Sequence, residues 1–319
     1  GLSPEERRKQ IEIRQSLTAA VSPNGIHWKN LDEPIIDVGN TALDTHNLYT
    51  YDPYTGKYVA YMRGHVLRRR LVRRAKGTDF RHLDEPRFCL MPDPQDPFDD
   101  DIYNPCYCPY PGRQLYLMFP SMYHRIESTV DIQLAVSRDS YNWHRPERKP
   151  IIDLSYERGE YGTIYAAPNL VALGSGEWPL PFVGSRRHHD FLDRDTAYPE
   201  EGEMRWASWQ EYRLVGLEAP DEGFAVLVER KCAGQQMRIN YRTAKDGRIK
   251  VELVNPPSTS PEEVLPFDGF GLEGAETLTG DEFSRVVQWN GSGDLSGLKD
   301  KDVSLRLHLH KAKIFSIAL

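Results

Sequence analysis

Long apolar runs are missing from this chain of 319 residues, and without about 20 consecutive apolar residues no helix can cross a bilayer. Insertion into a membrane is therefore not expected. Cysteine is scarce: Cys89, Cys106, Cys108 and Cys232 are the four. They form no Cys-x-x-Cys pair, and Cys106 and Cys108 stand too close in sequence for an unstrained bridge. A zinc site needs a second pair of ligands at suitable spacing, which is absent, so the four read as free thiols. Positive charge is in deficit, with 40 Lys plus Arg against 47 Asp plus Glu and a net charge of −7. That balance argues against a nucleic-acid partner, whose binding domain would normally carry positive charge. Residues 1–15 are charged and hold no apolar stretch of the kind a secretory signal carries. No Gly-x-Ser-x-Gly elbow, phosphate loop or dinucleotide fingerprint occurs. Neither a cofactor nor a metal is expected, the adjacent His188 and His189 pointing to opposite faces if they lie on a strand.

Turn and strand residues, by contrast, are abundant: 24 Gly and 23 Pro punctuate a chain with 17 Tyr, 11 Phe and 6 Trp. Aromatic and β-branched runs bounded by Gly, Pro, Asn and Asp predict an all-β fold. One helix is predicted at the start, where Ser3-Pro4-Glu5-Glu6 reads as a capping box with Pro at the first helical position, ending before Ser22-Pro23.

Internal repetition is the most informative signal. Ala20-Val21-Ser22-Pro23-Asn24-Gly25-Ile26-His27-Trp28 recurs as Ala135-Val136-Ser137-Arg138-Asp139-Ser140-Tyr141-Asn142-Trp143, and both copies run on to Pro-Ile-Ile. A weaker copy, Gly77-Thr78-Asp79-Phe80-Arg81-His82-Leu83, lies between them. Copies about 50–60 residues apart fit one four-stranded sheet per unit, the spacing of a β-propeller. A second repeated element opens with Asp44-Thr45-His46-Asn47, then Asp101-Ile102-Tyr103-Asn104, then Thr163-Ile164-Tyr165, each followed by a hairpin. Residues opening the innermost strand of a blade face the axis, so Asp44 and Asp101 are expected to converge there. From residue 222 the repeats stop and long alternating strands take over, with Lys245-Asp246-Gly247-Arg248 read as a hairpin turn. The expected division is a propeller over 1–221 and a β-sandwich over 222–319.

The string Ser22 to Trp28, then Asp44-Thr45-His46-Asn47, then Gly56-Lys57-Tyr58-Val59-Ala60-Tyr61 resembles the five-bladed propeller glycosidases. The nearest group is the bacterial proteins similar to glycoside hydrolase family 32, which cleave sucrose and fructans. Asp131 to Asp139, Arg205-Trp206-Ala207-Ser208-Trp209 and Gly293 to Leu298 carry the same resemblance. It implies a five-bladed propeller followed by a β-sandwich, a carbohydrate substrate, and a bacterial cytoplasmic, periplasmic or secreted setting. The Trp-Met-Asn-Asp-Pro-Asn-Gly, Arg-Asp-Pro and Glu-Cys motifs of the true family 32 enzymes are not found. Roughly four repeats can be counted, so one blade is either divergent or absent ahead of Gly1.

Glycoside hydrolysis needs two carboxyl groups across the scissile bond. Asp44 is the expected nucleophile or base, Asp101 its stabilising partner and Glu160, with Glu157 beside it, the expected proton donor. His46, Asn47, Tyr103, Tyr165 and His188 are expected to contact substrate. Arg63, Arg68 and Arg70 crowd adjacent strands of one blade, and guanidinium forks there would grip a carboxylate, sulfate or phosphate. An anionic sugar follows, or phosphate as co-substrate of a phosphorylase. A carbohydrate-binding protein without catalysis is the alternative from another class.

Overall fold

The computed structural model describes residues 3, 5, 16–38, 42–156, 159–190, 195–198, 201–256 and 264–319. It divides into two units, Gly1–Ser208 and Trp209–Leu319, and the chain is all-β, a propeller unit followed by a β-sandwich unit. No helix among the described residues is long and apolar enough to cross a membrane. Most of the expected opening helix lies outside the described residues. Where description resumes, Ser16–Leu17 (β1) and Ala20–Val21 (β2) are strands, pairing with Lys29–Asn30 (β3) and Ile36–Asp37 (β4) in the ladders β2–β3 and β1–β4. Ser16–Leu17 and Ala20–Val21, inside the span expected to be helical, are thus strands, held by ladder partners from later in the chain.

The first blade is a four-stranded meander of Leu48–Asp52 (β5), Lys57–Val66 (β6), Arg69–Gly77 (β7) and Arg87–Leu90 (β8). The next is built of strands broken midway: Asp100–Ile102 (β9) runs on to Tyr107–Pro109 (β10), Tyr116–Met118 (β11) to Ser121–His124 (β12), and Thr129–Ile132 (β13) to Ala135–Ser137 (β14). Pairs β10–β11–β14 and β9–β12–β13 continue one meander across those breaks. After a small hairpin of Ser155–Tyr156 (β15) and Gly159–Glu160 (β16), the third blade follows as Thr163–Ala166 (β17), Glu177–Ser185 (β18) and Gly202–Gln210 (β19). A single parallel pairing, Val130 with Thr163, ties it to the second blade.

Two apolar layers hold these sheets together. Val59, Tyr61 and Val72 of the first blade meet Ile102, Tyr107, Tyr116, Met118 and Met122 of the second. Tyr61 stacks on Tyr107 with ring centroids 4.6 Å apart. On the opposite face, Ala60, Met62 and Ala75 pack on Ile35, Ile36 and Val38. Asp52, fully buried, joins the first two blades: it accepts the Tyr54 N–H, the Thr55 hydroxyl at 2.6 Å and the Tyr116 hydroxyl at 3.0 Å.

The second unit begins with Leu217–Val226 (β20), a strand that runs through the expected boundary at residue 221 because it pairs along its length with the last strand. Arg230–Lys231 (β21), Arg238–Val254 (β22), Asp281–Val286 (β23) and Asp302–Ala318 (β24) complete the sheet β20–β24–β22–β23, with β21 on β24. Val303, Leu305, Leu307 and Leu309 are buried, as their alternation predicts, against Ile249, Val251, Leu253, Trp289 and Leu298. Lys245 to Arg248 is not a hairpin turn. Both halves of β22 pair with β24, Thr243 opposite Ala312 and Arg248 opposite His310, so the extra residues form a bulge.

The repeated Ser-x-Asn/Asp motif is a structural device of the outer hairpins. Asn24 Oδ1 accepts the N–H groups of Ile26 and His27 at 3.0 Å, and Ser22 Oγ accepts that of Gly25 at 2.8 Å. In the later copy Asp139 Oδ1 accepts those of Tyr141 and Asn142 at 2.9 and 2.7 Å, and Asp79 does the same for Arg81 at 2.9 Å. These bonds hold the Asp139 carboxyl down at about 2 against the burial that would raise it. Asp139→Ala should destabilise the propeller unit by about 1 kcal/mol, as loss of a comparable cap does. Asp139→Asn, which keeps the accepting oxygen, should be close to neutral in urea denaturation; equal losses for both would remove the turn from the account.

Candidate functional site

The site grows out of the face of β6 that carries Val59 and Tyr61 in the core. Successive side chains on a strand alternate, so Arg63 and His65 continue on that face beyond the apolar layer. Their cross-strand partners on β7 are Val72 and Arg70. Arg63, His65 and Arg70, together with Arg68, Phe98, Asp99, Asp101, Tyr123, Arg125, Ile126 and Asp190, line a cavity of about 810 Å³. Alternation also divides the acidic run: Asp99 and Asp101 line the cavity, whereas Asp100 turns to His124 at 2.7 Å.

The two expected carboxylates differ in setting. Asp44 is 72% exposed and pairs with Arg63, which lines the cavity, so it stands at the rim on that guanidinium. Asp101 is 3% exposed and accepts from Arg69 Nε at 2.7 Å, with Arg125 at 4.0 Å. Arg69 also donates to the Asp100 carbonyl, which clamps the backbone of β9 beside the carboxylate. Burial and neighbouring arginines lower Arg63 and His65, and the Asp44 and Asp101 carboxylates oppose that shift at both.

Arg63 is itself held from both sides. Asn47 Oδ1 accepts its N–H at 3.2 Å, and the Arg73 guanidinium donates to its carbonyl at 3.2 and 3.3 Å. Arg73 reaches it by lying over Gly64, where a Cβ would come within 2.8 Å of the Arg73 side chain. Asn47 Nδ2 donates to the Leu43 and Thr45 carbonyls at 2.8 and 3.1 Å. The expected substrate ligand Asn47 thus holds the loop bearing Asp44 and His46. His46 is tied to the second blade, its N–H donating to Asn104 Oδ1 at 3.2 Å and its ring edge-on to Tyr165 at 6.1 Å.

A cluster of tyrosine and histidine rings packs beside the arginines, and of these Tyr123 lines the cavity. Tyr103 meets Tyr165 at 5.9 Å and His189 edge-on at 4.7 Å, and Tyr123 meets His189 at 4.5 Å. The segment carrying His189 and Asp190 is docked on the β12–β13 turn, where the His189 N–H donates to the Ser128 carbonyl at 2.7 Å and that of Asp190 to Ser128 Oγ at 2.8 Å. This brings Asp190 to the Tyr123 hydroxyl, which donates to it at 2.5 Å. Burial foremost, then the Asp190 carboxylate, pushes the Tyr123 phenol up to about 12. Burial and the nearby arginines push His65 and His189 down, which favours the neutral rings.

Of the expected site residues, Asp101, Arg63, Arg68 and Arg70 line the cavity, Asp44, His46, Asn47, Tyr103 and Tyr165 are not among its lining, and Glu160 and His188 lie elsewhere. Glu160 is exposed on the β15–β16 hairpin and is not among the cavity-lining residues, and Glu157 lies outside the described residues. His188 is half-buried, with Nδ1 2.8 Å from the Glu127 carbonyl, and is not among the cavity-lining residues. Arg68 is not on a strand: Leu67 and Arg68 form the two-residue turn between β6 and β7, at φ 50° and 65°. No group of three or more His, Cys, Asp or Glu side chains able to hold a metal occurs among the described residues. Sequence reasoning missed His65, Tyr123, Arg125 and Asp190 as site residues. A period-two extrapolation from Arg63 would have found His65; Asp190 carries no local signal.

Beside the cavity, His124 bridges two carboxylates across three strands, with Nδ1 2.7 Å from Asp100 and Nε2 3.1 Å from Asp131. Those bonds outweigh burial and push the imidazole up to about 10. A folded-state value above the ordinary 6.5 stabilises the unit fully below about pH 6.5, and that contribution is lost as pH rises through about 10. NMR titration of the ring should find His124 still protonated at pH 8; titration near its ordinary value would dissolve the bridge.

No protein-family model matches the chain, and no curated protein matches it. Solved structures with some likeness include an N-acetylgalactosamine deacetylase from F. plautii in complex with blood group B trisaccharide, 10% identical, covering 62% of each chain at a TM-score of 0.41. A thermostable family-43 glycoside hydrolase is 14% identical over 60% of this chain and 61% of its own, also at 0.41. The sucrose-6-phosphate hydrolase of Lactobacillus gasseri is 13% identical over 94% of this chain and 84% of its own, at 0.39. The chain spans about three fifths of the length of the first of these.

Proposed function

We propose that the chain is a glycosidase-like enzyme acting on a carbohydrate bound in the cavity of its propeller unit, with negative charge on the sugar favoured by the arginine rim. The observation that carries this reading is one cavity of about 810 Å³, lined by carboxylates from two different blades, Asp101 and Asp190. That volume is of the size that encloses a small ligand. In glycoside hydrolysis one carboxyl protonates the departing oxygen while the other attacks the sugar or stabilises its developing positive charge. Asp101, fixed by the Arg69 clamp, and Asp44, on the rim with Arg63, are proposed for the second task. The proton donor is proposed on the third blade, where Asp190 in the cavity wall is better placed than Glu160 on its exposed hairpin. Tyr103 and Tyr165 offer ring faces and edges to a sugar.

One observation favours a second reading, carbohydrate binding without catalysis: both Asp44 and Asp101 are paired with guanidinium groups. Release of reducing ends from a panel of neutral, uronate-bearing and sulfated oligosaccharides separates the two. On a turned-over substrate Asp101→Asn should lower kcat/KM about a thousandfold, the range of a positioned acid–base group. Asp190→Asn should likewise lower kcat/KM on that substrate, while Glu160→Gln should leave it unchanged. Calorimetric binding with no turnover on the whole panel would establish the binding reading, and turnover without phosphate would exclude phosphorolysis.

A further inference from the structure

Arg70 stands apart from the other arginines of the site. Arg63 has Asp44, Arg69 has Asp101, and Arg125 lies 4.0 Å from Asp101. Among the described residues Arg70 has no carboxylate partner. Its guanidinium lies 4.7 Å from the Tyr103 ring centroid and 4.9 Å from that of Tyr123. Nη1 is 3.3 Å from His189 Nε2. Two aromatic faces and an imidazole nitrogen orient this cation without cancelling its charge, because a ring quadrupole attracts a cation but does not neutralise it.

A second positive charge shares the same ring. The Arg63 guanidinium lies 5.7 Å from the Tyr103 centroid, and after burial the strongest influence on Arg63 is repulsion from Arg70. Two guanidinium groups over one ring repel, and an anion between them relieves that repulsion. Arg68 adds a third cation at the cavity mouth, also without an ion pair among the described residues. It is displayed from a turn whose left-handed backbone would suit Asn-Gly, and left-handed φ at residues other than glycine clusters at functional sites. All this occurs in a chain of net charge −7.

We infer that Arg70, flanked by Arg63 and Arg68 and seated on Tyr103, Tyr123 and His189, is a subsite for a tetrahedral oxyanion, a sulfate or phosphate ester carried by the sugar. The inference deepens the carbohydrate reading and rests on it for the identity of the ester's carrier, while the anion subsite stands on its own geometry. Several cations around one point suit a group offering three or more acceptor oxygens, and guanidinium forks meet such oxygens two at a time.

Calorimetry at pH 7 and 150 mM NaCl with inorganic sulfate, inorganic phosphate and glucuronate tests it without any need for turnover. Saturable binding of sulfate or phosphate is expected in the unaltered protein, with glucuronate weaker, and the stronger of the two tetrahedral anions names the ester. Arg70→Gln should weaken that binding about tenfold, the scale of a charge-assisted fork, and Arg70→Lys should restore only part of it. Arg138→Gln, on the exposed outer hairpin, should leave it unchanged. Asp101→Asn should keep anion binding while kcat/KM on a turned-over substrate falls about a thousandfold, so that failure of the enzymatic reading and failure of this subsite are told apart. Absence of saturable binding, equal binding by Arg70→Gln, equal loss in Arg138→Gln or tighter binding of glucuronate would each overturn the inference.

Discussion

The strict alternation of side chains along a strand fixes where the chemistry of this propeller can lie. Val59 and Tyr61 must face the second blade to close the apolar layer there. Arg63 and His65 have no freedom after that; the same face carries them past the end of the core into the cavity. The same constraint separates Asp101 from Asp100, sending one to the cavity and the other to the His124 bridge. A slip of one residue in either strand would exchange core for site. The core and the cavity wall are thus two ends of one register.

Around that register the polar groups are arranged in pairs that immobilise backbone as much as side chains. Arg69 holds both the Asp101 carboxylate and the Asp100 carbonyl. Asn47 and Arg73 fix the strand carrying Arg63, and Ser128 anchors the segment carrying His189 and Asp190. Preorganisation of this kind lets a cavity in a partly exposed rim hold its groups in place before a ligand arrives.

The fold class and the blade rhythm were legible because each outer hairpin repeats the same side-chain-to-backbone bonds, centred on Asn24, Asp79 and Asp139. Such bonds are local, and local chemistry writes itself into sequence. The arginine cluster was legible for the same reason, being concentrated within residues 63–74. What stayed hidden depends on contacts between distant segments. Asp190 belongs to the site through Ser128, and Asp44 is fixed to Arg63 rather than standing open. The bulge at Lys245 to Arg248 looked like a turn, since only the partner strand reveals that pairing resumes in the same direction.

The turn at Leu67 and Arg68 has a consequence for anyone who would improve this protein. Both residues adopt left-handed backbone, and Leu67 is 92% exposed. A consensus or thermostabilising redesign would therefore choose this hairpin tip early, replacing it with Asn-Gly for a gain of order 1 kcal/mol. The redesigned protein would be hardier and would have lost a cation from the cavity mouth. Selection for robustness alone would in this way erode the very charge that distinguishes the molecule.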